Sequence, residues 1–180
     1  MNTDDLHKLS FDKTNQRYVI GIGHISNTLA YDLDEYAEYN AKKGCGLAYL
    51  TGDTHSTADA LIDQSLIPTC NYLNFIEFKA GKMEYQKIRR KALESLWIYS
   101  YWQNLSINQV LSVQKQFILV HEVSNGNNKN NTVRNRSRRI SAQDIIDRLK
   151  SNPIISEYYN GELFCYSGTD FETNFTSYLK

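Results

Sequence analysis

The stretch QFILVHEV (116–123) constrains this chain most, because it is almost continuously apolar and has the length of a strand. A strand without a polar face must be covered on both sides, so it predicts a central sheet between helical layers. The segment YLNFIEFK (72–79) is a second strand, aromatic and β-branched, broken by Ala80-Gly81. Between them, MEYQKIRRKALESLWIYSYW (83–102) reads as a long helix: Ile88, Ala92, Leu96 and Tyr99 recur at helical spacing, and Lys87, Arg90 and Lys91 form a basic early face.

Upstream, LDEYAEYNAKK (33–43) predicts a short helix stopped by Gly44, followed by strands at 46–52 (GLAYLTG) and 58–67 (ADALIDQSLI) and a turn at 68–71. RYVIGIGHI (17–25) predicts a short strand marked by Gly21 and Gly23, and it lacks the third glycine of a dinucleotide loop. Residues 1–16 are polar and read as loosely ordered. SNGNNKNNTVRNRSRR (124–139) carries Lys129, Arg134, Arg136, Arg138 and Arg139 without one acid, and reads as a mobile basic loop. Ser141 with Asp144 three residues on predicts a capped helix to Lys150, ended by Asn152-Pro153. GELFCYSG (161–168) adds a strand before a final short helix. The expected class is therefore α/β: one domain over residues 1–180, with a mixed central sheet flanked by helices.

Composition narrows the function. With 20 basic and 20 acidic residues the formal charge is zero, which excludes a globally basic nucleic-acid coat. Three cysteines (Cys45, Cys70, Cys165) without a CxxC pair argue against a disulfide scaffold or thiolate zinc site. No run is long enough to cross a bilayer, and the polar, acidic start lacks a signal peptide's pattern, so a cytoplasmic protein with no membrane partner is expected.

The chemistry sits on the second and third strands. Glu77 and Lys79, two apart, share a face, while Ile76 and Phe78 point into the opposite apolar layer. A hairpin around 68–71 brings Asp59 toward both. Two carboxylates, a backbone carbonyl and waters form an oxygen site suited to Mg²⁺ or Mn²⁺. Asp63 shares the strand face of Asp59, so periodicity leaves either aspartate open.

Asp59 in ADALI, the hairpin, FIEFKAGK, the long helix and the strand after it together resemble the PD-(D/E)XK nuclease superfamily over residues 33–123, about half the chain. That resemblance implies a restriction-endonuclease-like αβββαβ core. It also implies Asp59 and Glu77 as metal ligands, joined by the Phe78 carbonyl, and Lys79 as the catalytic lysine. The first motif reads Ala58-Asp59 rather than Pro-Asp. An acid on the first helix, Glu35 or Glu38, would add a ligand, and Gln86 or Lys87 matches the helix residue some members place near the metal. The implied function is metal-dependent hydrolysis of DNA, less readily RNA, as in subunits of phage-defence or mobile-element systems. The alternative is the same core kept as a non-catalytic assembly module, with a protein partner or a second copy. Lys82, Lys87, Arg90, Arg134, Arg136, Arg138 and Arg139 are the candidate phosphate contacts. His24 and His121 read as structural, His55 as an exposed candidate ligand or base, and Trp97, Tyr99, Tyr101 and Trp102 as helix packing.

Overall fold

The computed structural model describes residues 1–13, 15–21, 25, 28–42, 57–122 and 141–180. The expected strand at 46–52, the basic run 124–139 with Lys129, Arg134, Arg136, Arg138 and Arg139, and His24 and His55 lie outside the described residues.

Among the described residues the elements follow in order: β1 (Thr3–Asp5), α1 (Leu6–Leu9), β2 (Phe11–Asp12), β3 (Arg17–Tyr18), β4 (Leu29–Asp32), α2 (Leu33–Lys42), β5 (Ala60–Ile62), β6 (Leu73–Lys79), α3 (Tyr85–Trp102), α4 (Ile107–Ser112), β7 (Lys115–His121), α5 (Ala142–Ser151), α6 (Pro153–Tyr158), β8 (Leu163–Ser167) and α7 (Gly168–Tyr178). Six strands form one mixed sheet in the order β1-β4-β5-β6-β7-β8, and β2 pairs with β3 apart from it. The first three pairings are antiparallel and the last two, β6–β7 and β7–β8, are parallel. Helix α3 begins the long connection between the parallel neighbours β6 and β7, as a parallel pair requires.

Both faces of the sheet are covered. Phe75, Phe117 and Leu119 lie with Ile88, Ala92 and Leu96 of α3 and Ile145 and Leu149 of α5 in one core. Ile76, Phe78, Ile118 and Val120 lie with Leu6, Phe171 and Phe175 in the other. The alternation expected along 75–78 is thus visible as membership of two cores. Among the described residues no helix is long and apolar enough to cross a membrane.

Three expectations are corrected. The described residues of 1–16 are not loose: β1 pairs with β4 at the sheet edge, and Leu6 is fully buried. Among the described residues of the apolar run 17–25 only Arg17–Tyr18 is a strand, pairing with β2, while Val19, Ile20 and Ile25 enter the second core. The strand expected over 58–67 stops at Ile62, because the Asp63 carboxylate takes the Ser65 amide and hydroxyl and its carbonyl takes the Leu66 and Ile67 amides, closing a turn. On its other edge β5 pairs with β4, which precedes α2, so a strand comes before the first core helix. Two further helices escaped the apolar pattern. The Ser106/Gln109 capping box starts α4, and Pro153, which ends α5, opens α6 as its first residue.

Candidate metal and phosphate site

The antiparallel register pairs Ala60 with Ile76 and Leu61 with Phe75. Extended by one residue it sets Asp59 opposite Glu77, on the face covered by α3. The segment entering β5 is fixed residue by residue. Thr57 Oγ1 donates to Asp34 Oδ1 at 2.5 Å, the Ala58 amide donates to Ser95 Oγ at 2.7 Å, and Asp59 Oδ2 accepts the Phe78 amide at 2.7 Å. Phe78, expected to lend its carbonyl, engages Asp59 through its N–H.

Between the two acids lies the ammonium group of Lys91, a residue whose spacing places it on the basic early face of α3. Lys91 Nζ is 2.7 Å from Glu77 Oε2 and 3.1 Å from Asp59 Oδ1. One nitrogen touches both carboxylates, so they are already close enough to share a cation. Glu77 is 1% exposed, and the Lys91 and Asp59 side chains are each 19% exposed. Lys91 falls three residues after Ile88 and just before Ala92, so a charge bordering the apolar stripe was the available signal.

A third carboxylate is electrostatically coupled to the same ammonium. Asp34, in the first turn of α2, is pushed up to about 6 by burial, with Lys91 opposing the rise and Asp59 adding to it. Glu77 is raised well above the usual carboxylate range, first by burial and then by Asp59, against the pull of Lys91. Burial disfavours the Lys91 ammonium, yet Glu77, Asp59 and Asp34 outweigh it and hold its pKa well above the ordinary value. Three acids are thus electrostatically coupled to one base, two of them in contact with it.

Glu77 and Lys91 line a pocket of about 260 Å³ that Asp59 and Asp34 do not reach. Its wall carries Lys79, Lys82, Lys87 and Lys91 against Glu77 and Glu84, with Asn15 closing one side. Lys79 shares this wall but not the Lys91 position: its Nζ lies 3.5 Å from Asp12 Oδ2, and Asp12 is nearly inaccessible. Asp12 also accepts the Ala80 amide at 2.9 Å and the Asn15 side-chain N–H at 3.0 Å. Burial works against the Asp12 anion, but these bonds and Lys79 leave its pKa below the usual value. Asn15 in turn donates to the Ala80 carbonyl. Both polar groups of Ala80 are thus held by side chains where strand β6 ends, and Gly81 follows with φ +85°, where a Cβ would collide with Asn15.

The remaining candidates are placed as follows. Asp63 turns into its own loop, leaving Asp59 as the aspartate beside Glu77. On α2 it is Asp34 that faces Lys91, whereas Glu38 is exposed and Glu35 accepts from Asn2. Gln86 is exposed and does not line the pocket; Lys87 does, and Lys91 one turn later reaches the acids. Lys82 and Lys87 are exposed and pair with Glu84 at 3.9 and 3.3 Å. Arg90 is away from the pocket wall, bonded to Glu94 at 2.5 Å. Trp102 packs on Tyr31 and Tyr99 as expected, but Trp97 and Tyr101 are exposed. His121 is half-buried, with Nδ1 near the Glu122 carbonyl.

Among the described residues, no group of three or more His, Cys, Asp or Glu side chains is arranged as a metal-ligand cluster. What converges is a pair, Asp59 and Glu77, with Asp34 coupled to it electrostatically. A pair is within the range for Mg²⁺, which usually keeps several waters and takes one or two protein carboxylates. No family model, no curated protein and no solved structure matches this chain.

Proposed function

We propose that this chain is a divalent-metal-dependent phosphodiesterase of the PD-(D/E)XK, restriction-endonuclease-like kind, acting on DNA more readily than RNA. The observation that carries the reading is the clasp of Asp59 and Glu77 around a single positive group, Lys91, which with Glu77 also lines a lysine-rich pocket. The donor set fits Mg²⁺ or Mn²⁺: hard carboxylate oxygens from facing strands, already holding a cation between them. When bound, such an ion polarises a phosphoryl oxygen and lowers the pKa of bound water.

The protein's own groups do the rest. Asp59 and Glu77 hold the ion, and the Phe78 amide fixes the orientation of Asp59. Lys79, steadied by Asp12, presents its ammonium to the pocket to stabilise charge developing on the scissile phosphate. Lys82 and Lys87 at the mouth attract the neighbouring backbone.

The test is a substrate panel of duplex, single-stranded and branched DNA and RNA, with Mg²⁺, Mn²⁺ or EDTA. Cleavage should need the metal, Glu77→Ala should abolish it, and Lys79→Ala should slow it about 100-fold or more. Undiminished cleavage by both variants would refute the assignment.

A second reading, a non-catalytic assembly module of the same fold, is favoured by one observation: Lys91 already neutralises part of the acid pair from within. It predicts an inert chain in every arm of the panel and a stoichiometric protein partner on co-purification.

A further inference from the structure

Lys91 occupies the place a metal ion would take, yet it is poorly matched to that place as a permanent tenant. A single ammonium is shared between two carboxylates in contact, Glu77 and Asp59, so neither has the positive group to itself. The two contacts hold the tip of a flexible four-carbon stem whose base is rigid. The Lys91 carbonyl accepts from Ser95 Oγ at 2.6 Å, and the same Oγ receives the Ala58 amide, tying helix α3 to the start of β5. The ammonium can therefore move without the backbone moving. It also has somewhere to go, since Lys91 forms part of the wall of the pocket that holds Lys79, Lys82 and Lys87.

We propose that Lys91 is a tethered counter-cation, which a divalent ion displaces from between Asp59 and Glu77 into the lysine-lined pocket, where it becomes a phosphate contact. This rests on the metal-dependent reading above and adds to it a coupling. With the metal absent, Lys91 closes the acid pair and takes no part in anion binding. With the metal bound, the pocket gains a fourth ammonium, so metal and phosphate each strengthen the binding of the other to the same degree.

The test reads the side chain rather than activity. Wild-type protein is reductively methylated with formaldehyde and cyanoborohydride, with and without saturating Mg²⁺, and the modified lysines are quantified by peptide mass spectrometry. Methylation keeps the lysine charge, so the label does not itself break the ion pairs. Lys91 labelling should rise several-fold with Mg²⁺. Lys115, 1% exposed and donating to the carbonyls of Val110, Leu111 and Val113, is the internal standard and should stay protected throughout. In parallel, calorimetry should show Lys91→Met binding Mg²⁺ about tenfold more tightly than wild type, because the competing cation is gone. Mg²⁺ binding with Lys91 labelling unchanged, or with no gain in the variant, overturns the displacement and leaves the metal site standing. No Mg²⁺ binding by either protein removes both. If Lys91→Met does not fold, the wild-type labelling alone decides.

Discussion

Replacing Lys91 by methionine keeps most of the side-chain volume and deletes its charge. Glu77, 1% exposed, then loses a charged partner at 2.7 Å, while Asp59 keeps its bond to the Phe78 amide. Removing one partner of a buried ion pair costs about 3–5 kcal/mol. A carboxylate that can take up a proton never costs more than the work of protonating it, which limits the loss independently. From an ordinary value of 4.5, that work is about 1.4 kcal/mol per pH unit, so about 5 kcal/mol at pH 8 and under 1 at pH 5. The sign follows from linkage. Glu77 is already raised in the wild type and rises further once the pull of Lys91 is gone, so the variant's stability falls more steeply with pH than the wild type's. Urea melts at pH 5, 6, 7 and 8 should show the deficit relative to wild type growing from under about 1 to about 3 kcal/mol or more. A deficit that does not change with pH, or one below about 1 kcal/mol at pH 8, would show that Lys91 is not the counter-charge of Glu77.

Asp34→Asn should stabilise the protein above pH 6 by at most ~3 kcal/mol, since it removes a buried anion whose pKa is about 6 instead of 3.8, and the gain should vanish below pH 4; thermal melts across that range check it. Asp59→Asn should weaken Mg²⁺ binding by about tenfold or more in calorimetry, whereas Asp63→Asn should leave it unchanged; the reverse order would restore Asp63 as the ligand. Asp12→Ala leaves the Ala80 amide without its acceptor and Lys79 without its partner, so it should cost about 1–3 kcal/mol in urea melts and raise the methylation rate of Lys79.

The central framework was legible because two signals coincided at each of its elements. Strands β6 and β7 carry apolar runs of strand length, and α3 repeats its buried residues at helical spacing. Helix α5 adds a capping box that forms as the Ser141 and Asp144 spacing predicted. The opposition of Asp59 and Glu77 was also legible, as the product of a hairpin and a two-residue period. Lys91 was not, because three basic residues close together look like one solvated face, and only the packing of Ile88 and Ala92 turns the third toward the sheet. Asp34 was overlooked because its neighbour Glu35 looks equally suited from sequence, and only helix orientation separates them. The amino terminus failed for a different reason. Its strand is held by backbone hydrogen bonds to β4, and its one fully buried apolar side chain, Leu6, leaves no period to read. Asp12, which reaches Lys79 and the Ala80 amide, carries no sequence signal for the same reason: its partners lie more than sixty residues away.

The pairing of β5 with β6 has a bearing on how such a chain can vary. Its alignment is enforced by two separate interiors, Leu61 and Phe75 on one side and Ala60 and Ile76 on the other. Sliding by a single position would drive every one of those groups into the wrong layer. The bend joining the strands bears none of that burden at Gln64, Ser65, Pro68 and Thr69, all exposed to water. Extra residues spliced in there would lengthen the far end of the hairpin yet leave the two acids facing one another, making this bend a natural place to graft new recognition elements without disturbing Asp59 and Glu77.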